Sequence, residues 1–151
     1  MKKTRSEDHV LSLEEITIPS FGYELVREEL LSNILGKDSP EILYWSGKRL
    51  ARSYPLQSIT EIINFFEKAG WGQLTLKKEV SNELHFQLTS PLIVNRLLNK
   101  KDAHFKLETG FLAQQIELQS GMMAEAYEQI QKKAGLIEII VRWDKKDLTN
   151  L

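Results

Sequence analysis

The sequence predicts an α+β protein in which helices pack on an antiparallel sheet. Up to Gly70, apolar residues recur three and four positions apart, which is the spacing of amphipathic helices. Between Leu74 and Leu88 they alternate with polar residues, as they do in strands with one buried face. A run of apolar and β-branched residues, LIEIIVRW, follows from Leu136 to Trp143. Helical and strand periods in separate stretches of one chain are typical of the α+β class.

Three helices are expected in the first half of the chain, and each has a start or stop signal. Ser20 can cap the first helix, and Gly36 can end it. Ser39-Pro40 supplies a cap and a favourable first helical residue for the second. Ser58 and Glu61 have the spacing of a capping box for the third. The predicted helices run from Phe21 to Leu35, from Ser39 to about Tyr54, and from Ser58 to Gly70.

The middle of the second helix contains Ser46 and Gly47, which have almost no side chain. A glycine inside a helix costs about 1 kcal/mol relative to alanine, so it needs a structural reason. We therefore expect this helix to pack closely against another backbone.

A β-hairpin that turns at Ser81-Asn82 is predicted to follow the three helices. Its apolar residues lie on one face, and His85 alternates away from that face. A short helix should then begin at Ser90-Pro91, and another should cover Phe105 to about Gln119. The apolar residues of the hairpin are Leu74, Leu76 and Val80 on the first arm, and Leu84, Phe86 and Leu88 on the second.

The segment from Gly121 to Gly135, GMMAEAYEQIQKKAG, has two interpretations. Its Met, Ala, Glu, Gln and Lys residues favour an amphipathic helix. Met122, Ala124 and Ala126 also alternate, as in a strand. If the segment is a helix, Leu136–Trp143 can pair only with the first hairpin. If it is a strand, a second hairpin turns at KKAG and the sheet has four antiparallel strands.

Three motifs resemble those of the 4-vinyl reductase domain and its relatives, a superfamily that includes TRAPP vesicle-tethering subunits and haem nitric-oxide-binding domains. They are the small-residue SGKRLA helix, the AGWG junction before the first hairpin, and the TGFLAQQIELQSG helix before the last. From Phe21 to Asp144, the chain is similar to the YslB-like family (DUF2507) of Bacillus and its relatives. The resemblance implies that Met123 to Lys132 is a strand, and hence that helices pack on a four-stranded antiparallel sheet made of two hairpins. It specifies a fold and not an activity.

Charge and composition exclude several chemistries. Lys and Arg total 20 against 21 Asp and Glu, so no broad positive field attracts nucleic acid. The chain has no cysteine, which excludes disulfides, thiolate nucleophiles and Cys-ligated zinc. His9, His85 and His104 lack metal-ligand spacing, and the haem-binding motif of the nitric-oxide-binding relatives is not evident. No nucleophile elbow, P-loop or dinucleotide motif occurs. We expect no metal, no other cofactor, no catalytic residues and no enzyme activity.

The amino terminus opens with basic residues, but Ser6, Glu7 and Asp8 stand where a signal peptide needs an apolar stretch. No apolar run approaches the ~20 residues that span a bilayer. We therefore expect a cytoplasmic protein with no membrane partner. Residues 1–18 are predicted to be a flexible or loosely packed arm, and residues 19–151 a single α+β domain.

Aromatic residues on elements that should meet over the sheet are the candidate lining of an apolar ligand pocket. Aromatic residues with such spacing also fill ordinary cores, and that interpretation stays open. Trp71 differs from the others because Gly70 and Gly72 flank it and allow sharp turns that bury or present the indole. The candidate pocket residues are Tyr44, Trp45, Phe66, Trp71, Phe86 and Phe111.

Three functional hypotheses follow. The first is a non-catalytic cytosolic binding or assembly domain that forms a homodimer through its helices. Relatives that associate through their helices, and the apolar helical region early in this chain, both favour it. The second is a sensor that binds a small hydrophobic ligand between helices and sheet. The third is an enzyme acting on a hydrophobic small molecule, which would need a cleft with two convergent ionisable groups. Fold alone does not choose among the three.

Overall fold

The computed structural model describes residues 10–148. The chain divides into two compact units, Met1–Gly36 and Lys37–Leu151. The arm over residues 1–18 and the domain over residues 19–151 stay predictions. Residues 1–9 of that arm, including His9, lie outside the described part of the chain.

The N-terminal unit contains a helix, α1, that consists of three successive segments: Ser20–Glu24, Leu25–Leu30 and Leu31–Leu35. The middle segment is π-helical, which the sequence did not predict. Ser20 does not cap the helix as expected, because it is already helical and Pro19 occupies the cap position. The predicted stop at Gly36 is confirmed, and its φ of +70° is a backbone conformation that favours glycine.

The described part of the second unit contains four α-helices and a four-stranded sheet, which confirms the predicted α+β class. All strand pairs are antiparallel, and the strand order is β1-β2-β4-β3. The sheet therefore consists of two hairpins that meet through β2 and β4. The elements are α2 (Ser39–Ser53), α3 (Ile59–Lys68), β1 (Gln73–Val80), β2 (Glu83–Thr89), α4 (Pro91–Asn99), α5 (Lys106–Ser120), β3 (Met122–Gln131) and β4 (Leu136–Leu148).

Two of the predicted helix caps in this unit are confirmed, and one is wrong. The Ser58 hydroxyl accepts a hydrogen bond from the Glu61 N–H at 3.2 Å, and the Ser90 hydroxyl accepts one from the Leu92 N–H at 3.0 Å. Ser39 does not cap α2, because the helix already includes it and its hydroxyl is buried without a hydrogen bond. The Ser39-Pro40 signal therefore predicts the helix correctly but misplaces its cap by one position, because Asp38 occupies the N-cap.

The first hairpin turns at residues 81–82, as predicted, but it is less regular than its sequence suggests. The register shifts between Leu76 and Lys78, so β1 contains one extra residue there. Beyond this bulge Val80 pairs with Glu83, which lies on the polar face of β2. Val80 is consequently 38% exposed, and its expected place on the apolar face is wrong.

The segment with two interpretations is a strand, β3, which confirms the strand from Met123 to Lys132 that the family resemblance implied. β3 pairs with β4 without interruption from Ala124 to Gln131, its register shifts between Met122 and Ala124, and the two strands join through a turn over residues 132–135. This pairing supplies the backbone hydrogen bonds that a helix would have made internally, and it buries Ala124. Tertiary pairing therefore overrides the helical preference of the residues.

Helices α2 and α5 cross with their backbones in close contact, and each contributes a glycine to the crossing. A Cβ atom at Gly47 would lie 2.8 Å from the backbone nitrogen of Phe111 and would overlap the carbonyl oxygen of Leu107. A Cβ atom at Gly110 would overlap the carbonyl oxygen of Tyr44. The close packing predicted for the second helix is confirmed, and its partner is α5.

Within residues 10–148, no helix is both long enough and apolar enough to cross a membrane.

Candidate functional site

Three of the proposed pocket residues, Phe66, Trp71 and Phe111, are buried together beside α3 and α5. The centroid of the Trp71 ring lies 5.0 Å from that of Phe66 and 5.1 Å from that of Phe111, both nearly perpendicular. Phe65 adds a half-buried ring that stacks on Phe111 at 4.6 Å. Edge-to-face pairs of this kind contribute about 0.5–1.5 kcal/mol beyond their buried area. We call these four residues the aromatic cluster.

Trp71 enters the aromatic cluster because of its two neighbouring glycines. Gly70 has a φ of +75° and Gly72 a φ of +133°, so the chain bends sharply on both sides of the tryptophan. The backbone N–H of Trp71 donates a hydrogen bond to the carbonyl oxygen of Phe66 at 2.9 Å, which stabilises the turn after α3. Of the two outcomes that the sequence left open, the structure selects burial of the indole.

Phe86 is also buried, but it lies in the middle of the sheet. It pairs with Leu76 of β1 on one side and with Ile139 of β4 on the other. Whether the proposed residues line a ligand pocket stays a prediction.

Tyr44 and Trp45 form a separate group on α2. Their ring centroids are 6.2 Å apart, and the Lys48 ammonium lies 5.3 Å from the Tyr44 centroid and 5.4 Å from the Trp45 centroid. The Lys48 side chain is only 8% exposed, and the Glu125 carboxylate lies 4.0 Å from its ammonium. Two cation–π contacts and a carboxylate thus surround a cation that is nearly excluded from water. Trp45 itself remains 58% exposed.

The Tyr44 hydroxyl links α2 to β3, which is an edge strand of the sheet. It accepts a hydrogen bond from the Ala126 N–H at 3.1 Å and donates one to Glu125 at 3.3 Å. Burial raises the pKa of Tyr44 to about 12, and the charge of Glu125 acts in the same direction. Glu117 of α5 accepts from the Ala124 N–H at 3.0 Å. Side chains thereby satisfy two outward-facing N–H groups of this edge and protect it from unwanted strand pairing.

Glu128 of β3 lies at the N-terminus of α5 and is almost completely buried, with its side chain 6% exposed. Its carboxylate accepts hydrogen bonds from the Phe105 N–H at 2.9 Å and from the Thr109 hydroxyl at 3.3 Å, and the Lys106 ammonium is 3.9 Å away. Burial raises the pKa of Glu128, although the Phe105 N–H and the Lys106 charge oppose the shift. A strand residue therefore serves as the acidic partner of a helix N-terminus.

The pKa of Glu128 leads to a pH-dependent stability. The folded-state pKa of Glu128 is raised above its ordinary value of 4.5, so the folded protein binds the Glu128 proton more tightly than the unfolded chain does. This tighter binding contributes to the free energy of unfolding below pH 4.5, and the contribution is lost as pH rises through the folded-state pKa. We expect the unfolding free energy of the wild type, relative to that of Glu128→Gln, to fall over this interval. Urea unfolding of both proteins between about pH 4 and about pH 7 measures it. A difference that stays constant with pH, or rises with it, would contradict the assignment.

Lys48, Glu125 and Glu128 were not singled out from the sequence. Lys48 follows Trp45 and Tyr44 by three and four positions, so helical spacing could have indicated the cation–π contacts. The two glutamates become identifiable only when β3 is known to be a strand that reaches both α2 and α5. Among the residues that the structure describes, no group of three or more His, Asp or Glu side chains is placed to hold a metal ion.

Comparisons with known proteins agree with this fold. The model of the family described as protein of unknown function (DUF2507) matches residues 20–142. The chain is 45% identical over 145 residues to "Uncharacterized protein YslB" of Bacillus subtilis strain 168, which covers 96% of this chain and 98% of that protein.

Two solved structures are similar to the chain at the level of the fold. One is a vinyl-4-reductase family protein from Methanocaldococcus jannaschii, with a TM-score of 0.60 and 17% identity, covering 88% of this chain and 87% of that one. The other is the phenol-responsive sensory domain of the transcription activator PoxR with phenol. Its TM-score is 0.59 and its identity 12%, and the match covers 85% of this chain and 76% of that one. The expected resemblance to the 4-vinyl reductase domain is confirmed at the level of the fold. By its family match and by its identity to YslB, this chain belongs to the DUF2507 family.

Proposed function

We propose that this chain is a non-catalytic cytosolic binding and assembly domain that forms a homodimer through α1. The observation that carries the proposal is the apolar surface of this helix. Four residues form an apolar stripe along it: Phe21 is 72% exposed, Leu25 37%, Leu30 51% and Ile34 74%. Single exposed apolar residues are common on protein surfaces, but a continuous apolar stripe marks an interaction surface.

The π-helical segment supports the alignment of this stripe. Phe21 and Leu25 are four residues apart, as are Leu30 and Ile34, which is normal α-helical spacing. Leu25 and Leu30 are five apart and form the first and last residues of the π segment. In a π-helix hydrogen bonds join residues i and i+5, so these two leucines stay on the same side. The stripe then continues for about 20 Å at 1.5 Å per residue.

A second copy of the chain is the partner that fits this surface. In a twofold dimer each α1 presents the same stripe to the other, so the two surfaces are complementary in chemistry and in length. The net charge of −1 produces little repulsion between two copies. The dimer would also cover apolar residues whose exposure favours nonspecific aggregation.

Sedimentation velocity at about 10 μM tests the dimer. A dimer with a Kd of about 1 μM, equivalent to about 8 kcal/mol of association free energy, predominates at that concentration. We expect twice the 17.5 kDa mass of one chain. Leu30→Asp and Ile34→Asp should give monomers, because each places a charge inside the interface. Ser32→Asp is the matched control, because it adds the same charge to an exposed position about 160° around the helix from Ile34. A monomeric wild type, or dimers in both stripe variants, would exclude this interface.

A sensor for a small hydrophobic ligand is the second candidate function. The aromatic cluster supports it, since its apolar rings would suit an aromatic ligand, and so does the fold shared with the phenol-responsive domain of PoxR. Native mass spectrometry of the protein purified from its own host should then reveal a retained small molecule. Repeated preparations with no added mass would count against the sensor and leave the dimer proposal untouched.

A further inference from the structure

Two adjoining concavities run between α4 and the turn of the second hairpin. One has a volume of about 540 Å³ and the other about 210 Å³, and both are bounded by Val94, Ala134 and Gly135. They therefore form one continuous groove, which we call the α4 groove. The residues that line its centre and its far end are Pro91, Val94, Leu98, Lys132, Lys133 and Ala134.

The floor of the α4 groove is apolar and partly exposed to water. Leu98 is 77% exposed and Val94 is 44% exposed, although both lie on a helix that buries Ile93 and Leu97. Gly135 brings the hairpin turn close to α4, because a Cβ atom there would lie 3.3 Å from a methyl group of Val94. Close approach of the turn thus gives the exposed leucine and valine a concave setting.

The charged side chains that line the α4 groove are all positive. Lys132 and Lys133 lie at its Leu98 end, and both are exposed. Among the described residues that line the two concavities, none carries a carboxylate. Cationic side chains beside a concave apolar floor complement a ligand that combines apolar side chains with carboxylates.

We propose that the α4 groove binds a short acidic segment of a partner protein, with leucine-like side chains on the floor and carboxylates at Lys132 and Lys133. The length of the floor sets the length of the segment. Val94 and Leu98 are one helical turn apart, and Pro91 to Leu98 spans about 10 Å. An extended peptide covers this distance with about three residues. So small an interface belongs to weak, transient recognition.

A peptide fits the groove better than an anionic membrane does. Two lysines are fewer than the clusters of about 4–8 basic residues that recognise anionic lipids. A concave floor accepts individual side chains, whereas a bilayer offers a broad surface. The overall charge of −1 also gives no general attraction to an anionic surface.

Fluorescence anisotropy with labelled octapeptides tests the proposal on the full chain. The probe alternates Leu and Glu, and the comparison peptide alternates Leu and Lys. Leu98→Ser and the double variant Lys132→Glu/Lys133→Glu should each weaken binding of the Leu/Glu probe about tenfold, through lost apolar contact and reversed charge respectively. Raising NaCl from about 50 mM to about 300 mM should also weaken it.

Matched variants control for general effects of these substitutions. Leu118→Ser changes another exposed leucine, and Lys77→Glu/Lys78→Glu reverses two exposed lysines of β1. None of these residues lines the groove. Both controls should bind the Leu/Glu probe within about twofold of the wild type, because surface substitutions away from a contact have small effects.

Several outcomes would overturn the proposal. They are the absence of Leu/Glu binding, equal binding of the Leu/Lys peptide, and equal losses in the groove variants and their controls. Lysine-dependent binding to phosphatidylglycerol vesicles without peptide binding would assign the surface to a membrane instead. Repeating the titration with Ile34→Asp separates this site from the dimer, since a monomeric variant should still bind the probe.

Discussion

Gly47→Ala and Gly110→Ala should each reduce the unfolding free energy by about 3 kcal/mol or more. At both positions the added methyl group would meet backbone atoms of the opposite helix, so rotation of a side chain cannot make room. The two helices would have to separate along their whole crossing. The helix propensity of alanine returns only about 1 kcal/mol, which is too little to compensate. Urea unfolding followed by circular dichroism measures the loss.

Gly22→Ala is the matched control for these two substitutions. Gly22 is also helical, but among the described residues no atom beyond its own helix backbone and its two chain neighbours lies within 4 Å of a Cβ atom at this position. We expect this variant to be unchanged or more stable by up to about 1 kcal/mol. If Gly47→Ala behaved like Gly22→Ala, the close crossing of α2 and α5 would be wrong. If only one of the two crossing variants were destabilised, the contact would be asymmetric and not mutual as described.

Gln115→Ala should cost about 3 kcal/mol, because its amide holds the loop between α2 and α3 against α5. The Gln115 side chain is completely buried. Its NH₂ group donates to the Tyr54 carbonyl oxygen at 2.8 Å, and its oxygen accepts from the Leu56 N–H at 3.0 Å. Removal leaves two backbone groups without these partners, each costing about 1–3 kcal/mol when it stays buried. Thermal and urea unfolding provide the measurement.

Gln119 supplies a control on the same helix. Its amide also reaches this loop, donating to the Leu56 carbonyl oxygen at 3.1 Å, but the side chain is exposed. Water can replace an exposed partner, so Gln119→Ala should cost less than about 1 kcal/mol. Equal effects of the two substitutions would mean that burial is not what makes the Gln115 contacts important. Gln115→Glu adds a further check, because a carboxylate can accept from Leu56 but cannot donate to Tyr54.

Much of the fold could be predicted from local patterns. The capping signals at Ser58 and Ser90, the turn after Val80 and the alternation of β2 all depend on residues close in sequence. The same holds for Gly47, whose cost inside a helix already indicated a close backbone contact. Local signals were displaced at Ser39, where the cap and the first helical residue differ by one position.

The candidate site was predictable only in part. Aromatic residues could be identified by type and spacing, but their grouping could not. Trp45 and Phe66 both sit on predicted helices, yet one is 58% exposed and the other is fully buried. Which face of a helix is covered depends on the element that packs against it. Glu125 and Glu128 of β3 could not be identified from the sequence for the same reason, because their partners lie on α2 and at the start of α5.

The amino-acid sequence determined the number and order of the main elements of residues 37–148, because helix periods, strand alternation and caps are interactions between near neighbours. Local patterns left Met122–Gln131 open between helix and strand, and the family resemblance implied the strand that pairing with β4 forms. Tertiary structure alone decided that β1 contains a bulge. It also decided which aromatic rings meet. These features depend on hydrogen bonds and buried area shared with distant residues, and such contributions outweigh propensities of less than about 1 kcal/mol per residue.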